Sequence, residues 1–292
     1  MSLAQPVQRR RMTSHVPRLG IIQLSVLFML VMMAVSWFFV LGLDRAQSHP
    51  FFSGETLTRA ASFVRELLGV GDSRPAAFAQ ASEWWRTARL AYDTLAMSVL
   101  AISLAAVAAL ATFMFGARNV MLGELAPHGS WVLRVTYVVT RGFFTISRAI
   151  PELIWAMLIV FVFSPGILPG AVALAIHNWG ILGKLSAEVV EGLDPRPARA
   201  LQTAGASHLQ VLVYGVLPQA LPRFLTYLFY RWEVIIRTAI VVGFVAAGGL
   251  GTEFRLSMSL FHYTTVTLLL AWYLLLVLAV DLISAGMRRL AQ

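Results

Sequence analysis

Ile21-Ile-Gln-Leu-Ser-Val-Leu-Phe-Met-Leu-Val-Met-Met-Ala-Val-Ser-Trp-Phe-Phe-Val-Leu-Gly-Leu43 contains no charged residue. A helix rises about 1.5 Å per residue, so roughly 20 apolar residues cross a hydrocarbon layer of about 30 Å. The stretch meets that length, and its solvent is lipid. Two more charge-free runs, Leu95 to Phe115 and Tyr263 to Val280, extend the reading. The whole chain agrees: 58% of its 292 residues are hydrophobic, 13% are charged and the mean hydropathy is +0.74. A water-soluble core of this size has no need for that balance. Arg9, Arg10 and Arg11 precede the first run as in a signal peptide. The run exceeds the roughly 7–15 residues of an h-region, so it is read as a retained helix.

The chain has no cysteine, which excludes disulfides and thiolate metal sites. Its net charge of +9 comes from arginines beside apolar runs, where they set orientation, so nucleic acid is not an expected partner. Residues 1–20 read as a cytoplasmic tail, 21–43 as the first span and 44–91 as a periplasmic insert. Two amphipathic stretches lie in that insert, Glu55 to Leu68 and Phe78 to Leu90, between Pro50, Gly54, Gly69, Gly71 and Pro75. The remainder, 92–292, reads as a membrane core. An amphipathic helix from Trp131 to Arg148 carries Arg134, Arg141 and Arg148 on one face. Ser164-Pro165-Gly166 and Pro169-Gly170 divide the next apolar run into spans Ile150 to Phe163 and Leu168 to Leu185. Spans Phe224 to Ala247 and Tyr263 to Gly286 follow. The fold class is therefore all-α integral membrane, with about six transmembrane helices. Placing both termini inside assigns 14 of the 23 lysines and arginines to cytoplasmic segments, 7 to external ones and 2 to the fifth span.

Arg231, Glu233 and Arg237 lie within the fifth span. A charge near the bilayer centre costs about 2.5–3.5 kcal/mol on insertion scales, so three in one helix need a reason. Glu233 and Arg237 are four apart with the acid first, which suits an ion pair along one helix face. Arg231 is closer to the cytoplasmic end and within reach of the interface. The other reading is that these arginines, with Glu233 and the adjoining Thr238, line a substrate pathway and offer planar donors to an anion.

The loop at 187–222 contains Arg199-Ala-Leu-Gln-Thr-Ala-Gly205-Ala-Ser-His-Leu-Gln-Val-Leu-Val-Tyr-Gly-Val-Leu217-Pro218. It reads as a helix, a break at Ala204-Gly205-Ala206, a second helix and a proline stop. Gly205 fits an ordinary glycine cap, and equally an elbow that lets a partner approach the backbone. The loop resembles the EAA loop of permeases from binding-protein-dependent ABC importers, with Ala200, Gly205, Leu217 and Pro218 in register. Arg199 replaces the family's Glu, Leu201 its second Ala and Gly215 its Ile. The stretches Ser147–Leu153, His177–Leu185, Tyr214–Gln219, Tyr230–Arg237 and Ala246–Gly251 are similar to the phosphonate and phosphite branch. The resemblance implies a type I ABC importer permease fold (MetI-like) and a homodimeric pore. It also implies two ATPase subunits carrying ATP and Mg, a periplasmic or lipid-anchored binding protein, and no cofactor in this chain. Ala200, Ala204, Gly205, Ala206, Leu217 and Pro218 would then couple to the ATPase.

Gly180-Ile-Leu-Gly183-Lys184 is not a phosphate loop, because its first glycine is misplaced and no strand precedes it. Gly248, Gly249 and Gly251 lack a dinucleotide-binding context and are read as an outer gate or a helix end. His177 has no second ligand nearby in sequence, so no metal is expected. The acids Glu152, Glu188, Glu191, Glu233 and Asp281 form no recognisable catalytic set, and the chain is not read as an enzyme. An ion-gradient-driven transporter of a small anion is the alternative, although such proteins usually carry inverted repeats, and none is evident here.

Overall fold

The computed structural model describes residues 20–46, 53–71, 75–123, 125 and 130–291, and among them there are helices and turns but no strand. The expected cytoplasmic tail falls almost wholly outside the described residues. Two compact units result, 1–64 and 65–292. The first holds α1 (Ile21–Ala46), whose described side chains are exposed, and most of α2 (Gly54–Leu67). The expected span thus forms as a helix whose apolar surface lipid can cover.

The second unit comprises α3 (Ala81–Thr112), α4 (Arg118–Met121), α5 (Trp131–Ala149), α6 (Glu152–Phe163), α7 (Ile167–Glu191), α8 (Arg196–Thr203), α9 (His208–Gln210), α10 (Leu217–Val242), α11 (Gly249–Ser259) and α12 (Tyr263–Ala291). By length and composition α1, α3 and α12 can each cross a membrane unaided. The other crossings are less regular than the expected straight spans. α5 and α6 meet at 94° and α10 and α11 at 50°, each pair passing the same test only together. The first bend sits at Pro151, which cannot continue a helix. Carbonyls freed there find side-chain donors: Trp155 Nε1 donates to Ser147 O at 3.0 Å, and His177 Nδ1 lies 2.9 Å from Ile150 O. α6 has 12 residues, about 18 Å, too short to cross alone.

α7 is the hub. Its 25 residues reach about 37 Å. Neighbouring helices rather than lipid cover it, so it tolerates His177, Asn178 and Lys184. Ala101, Ala105 and Ala109 of α3 share a core with Ala171, Ala173 and Leu174 of α7, all at 0% exposure. In a membrane such contacts replace the hydrophobic effect with close backbone packing. Gly180 and Gly183 belong to this design. A Cβ at Gly183 would stand 2.3 Å from the Phe144 ring, and one at Gly180 2.8 Å from Phe144 O. These glycines let α5 lie against α7.

Candidate functional site

The three charges of the fifth span sit on α10, between two π-helical turns, 211–216 and 243–247. Arg231 reaches α7, where its Nε and Nη2 donate to Asn178 Oδ1 at 2.9 and 2.6 Å. Asn178 is buried, and its amide donates to Leu174 O at 2.7 Å, so its oxygen faces the guanidinium. Arg231 therefore points into the helix packing and is not drawn out to the interface. Beside it, His177 Nε2 lies 3.2 Å from Glu152.

The expected pair between Glu233 and Arg237 is not the one the structure makes. Both charges turn to α12, where Asp281, Ser284 and Arg288 form a matching polar stripe. Arg237 Nη2 donates to both oxygens of Asp281, at 3.0 and 2.9 Å. Arg288 pairs with Glu233 and also donates to Ser284 Oγ at 2.8 Å, while Ser284 donates to Phe229 O. Local spacing permits the intrahelical pair, but a facing helix with opposite charges satisfies both groups and ties α10 to α12. The side chain of Arg237 keeps 46% of its surface exposed. Its Nε and Nη1 make no hydrogen bond to any described residue, so donors on two sides of the guanidinium remain for a further acceptor. Thr238 spends its hydroxyl on Ile235 O at 3.3 Å.

The glycines after α10 form a close-packed corner. Gly248 and Gly249 have φ of +89° and +66°. A Cβ at Gly249 would meet Thr94 Oγ1 at 2.4 Å, and one at Gly251 would meet Ile240 O at 2.0 Å. Thr252 Oγ1 bridges the corner, accepting from Gly248 N at 3.0 Å and donating to Gly243 O at 2.7 Å.

At the other end of the bundle, α8 closes on Gly205 at φ +84°, with Gly205 N and Ala206 N donating to Gln202 O and Leu201 O, each at 3.0 Å. That is a Schellman cap with glycine at the left-handed position. Ser207 and Gln210 then exchange the reciprocal bonds of a capping box and start the next helix. Among the described residues, nothing lies within 4 Å of a Cβ built on Gly205. Ala200, Ala204 and Gly205 are exposed, Ala206 and Leu217 half-buried and Pro218 exposed. The elbow is folded back on itself at Gly215, whose Cβ would stand 3.3 Å from Ala198 Cα. A larger residue there would require Leu201, whose Cδ1 would stand 3.1 Å from that Cβ, to shift. Behind the elbow, Ala198, Val211 and Val216 share a buried cluster with Val190 of α7. Glu191, at the end of α7, binds Arg141 and accepts from Arg118 N at 2.7 Å. Tyr214, 71% exposed, and Leu209, 69%, stand out from the loop.

Residues 120–291, which include this elbow and all of α10, match the family described as binding-protein-dependent transport system inner membrane component. The chain belongs to that family. As a permease of that family it is a multi-pass inner-membrane transport component rather than an enzyme, and the importer reading prevails over an ion-gradient transporter. It is 36% identical over 219 residues to the phosphite transport system permease protein of Stutzerimonas stutzeri, covering 75% of each chain. The phosphate-import permease protein of Mycolicibacterium smegmatis is 32% identical over 205 residues, 70% of this chain and 37% of that one. Among solved structures, the inward-facing MetNI methionine ABC transporter shares the permease fold, with TM-score 0.61 and 19% identity over 73% of this chain and 99% of its own. Among the described residues no cluster of His, Cys, Asp or Glu could hold a metal ion.

Sequence reasoning named Arg231, Glu233 and Arg237 but missed what they bind. Asn178, Asp281 and Arg288 complete the charged layer. The one available signal was that these polar residues sit inside apolar stretches.

Proposed function

We propose that this chain is the permease of an ATP-driven importer of small phosphorus oxyanions such as phosphite, phosphonate or phosphate. The observation that carries the reading is Arg237, held by Asp281 through a single nitrogen with its remaining donors open on a membrane helix. A guanidinium in that state still has charged Nε–H and Nη1–H donors to give to the oxygens of an oxyanion. Arg231, Glu233 and Thr238 flank it on the same helix. The similarity to phosphite and phosphate permeases supports the same substrate class.

In this reading two copies of the chain enclose the pathway, and a pair of ATPase subunits, carrying ATP and Mg, dock on the elbow around Ala200, Ala204, Gly205, Ala206, Leu217 and Pro218. A periplasmic or lipid-anchored binding protein delivers the anion from outside. The excess of arginine and lysine in the cytoplasmic segments supports both termini inside, 44–91 as the periplasmic insert and 187–222 as the coupling loop. The corner at Gly248, Gly249 and Gly251 is the outer gate: it joins α10 to α11 with no room for a side chain at Gly249 or Gly251, so motion of α10 carries α11 with it. ATP-driven closure of the partner pair shifts the population between outward- and inward-open states.

The test is uptake of phosphite into vesicles holding permease, ATPase and binding protein. Arg237→Gln should lower uptake at least tenfold with the complex still assembled. Wild-type uptake by that variant removes Arg237 from the pathway.

A further inference from the structure

α2 lies outside the part of the chain that matches the permease family, and its composition differs from every span. It has 14 residues, about 21 Å, too short to cross a bilayer, and none of them is buried. At 100° per residue, Leu57, Ala60, Ala61, Val64, Leu67 and Leu68 fall on one half of the helix. Glu55, Arg59, Arg65 and Glu66 fall on the other. Leu57 is 74% exposed, Val64 52% and Leu68 58%, so among the described residues these three side chains are largely uncovered, while Leu67 at the C-terminal end is half-buried.

Its C-terminal end is tied to a membrane-crossing helix. Thr267, in the second turn of the membrane-crossing α12, donates its hydroxyl to Leu67 O at 2.6 Å. α2 then closes in a glycine cap, Gly69 N to Glu66 O and Val70 N to Arg65 O, with Gly69 at φ +72°. A Cβ on that glycine would press on Thr264 at 3.2 Å, so the chain leaves α2 flush with the start of α12. The start of a span is where hydrocarbon meets water. The same level carries exposed Phe261, and His262 and Thr264 share a cleft there with Glu83 and Arg86 of α3, next to exposed Trp85. Aromatic side chains concentrate at such boundaries. At its N-terminal end, α2 is separated from the apolar α1 by residues 47–53 alone.

A helix tethered at the membrane boundary, apolar along one half and charged along the other, has the form of an interfacial helix. We propose that α2 lies in the plane of the bilayer surface, with Leu57, Ala61 and Val64 inserted among the acyl chains and its charged half in the headgroup layer. The occupant of its apolar face is lipid.

Because the chain has no cysteine, single cysteines report without a background. Spin labels at Leu57→Cys, Ala61→Cys and Val64→Cys, and at Thr58→Cys and Ser62→Cys, are compared in the full permease in lipid nanodiscs. Collision with oxygen, which concentrates in hydrocarbon, is measured against collision with a water-soluble nickel chelate. The proposal expects oxygen to exceed nickel several-fold at the first three sites and the reverse at the other two, alternating with the helical period. Nickel-dominated collision at all five sites would overturn it, and so would apolar-face labels shielded from both reagents, which would mean a protein occupant such as a second copy.

Discussion

Replacing Gly205 separates backbone strain from partner contact, because the two rank asparagine and alanine differently. Gly205 holds φ at +84°, and a Cβ there meets none of the described residues within 4 Å. Left-handed backbone costs an ordinary L-residue about 1–2 kcal/mol, and asparagine less, since its short amide can bond locally. Permease stability should therefore fall in the order Gly, Asn, Ala. If an ATPase packs closely over the elbow, an added side chain crowds that contact in proportion to its size. Overpacking of a fitted surface costs about 1–3 kcal/mol. At about 1.4 kcal/mol per factor of ten, ATPase binding would weaken by about 5- to 150-fold for Gly205→Asn. It would weaken less for Gly205→Ala, so affinity should run Gly, Ala, Asn. The assay is titration of purified ATPase onto permease in detergent, with thermal unfolding of each variant as the control for strain. Wild-type affinity in Gly205→Asn, or an affinity order that copies the stability order, would refute the docking argument.

Other perturbations test the charged layer and the packing. Asn178→Leu strips Arg231 of its acceptor and should destabilise the permease by about 1.5–3 kcal/mol, the worth of a hydrogen bond to a charged group. Adding Arg231→Leu should recover part of that loss in a thermal unfolding assay, and failure to recover any would mean that Asn178 matters for something other than Arg231. Glu233→Gln and Arg288→Gln should each destabilise, and the double variant should lose less than their sum, because the two side chains form one pair. Strict additivity would dissolve that pair. Gly183→Leu should prevent α5 from seating on α7 and lower the melting temperature, with Phe144→Ala in the same chain giving part of it back.

The sequence makes α1, α3 and α12 legible because each carries a long run without charge, a signal that depends on no other part of the chain. The glycine cap at Gly205 is legible for the same reason: it is set by residues within a few positions. The partners of the charged span are not. Glu233 and Arg237 present a favourable local spacing, and only the folded bundle brings Asp281 and Arg288 across from α12 to outcompete it. Gly180 and Gly183 are likewise conspicuous in the sequence, but their purpose is a ring from another helix. The helix end at Gly248 and Gly249 is legible from the glycines, but the packing of Gly249 on Thr94 of α3 is not, since it brings together residues far apart in the chain.

The central claim is that a separate ATPase, acting through the elbow at Gly205, drives an anion through this permease. Uptake of phosphite into sealed vesicles decides it, measured with and without the ATPase subunits and with ionophores present to collapse ion gradients. Uptake that requires the ATPase and ATP hydrolysis, persists with ionophores and is lowered in Gly205→Asn is the predicted result. Uptake by the permease alone, abolished by ionophores, would contradict it.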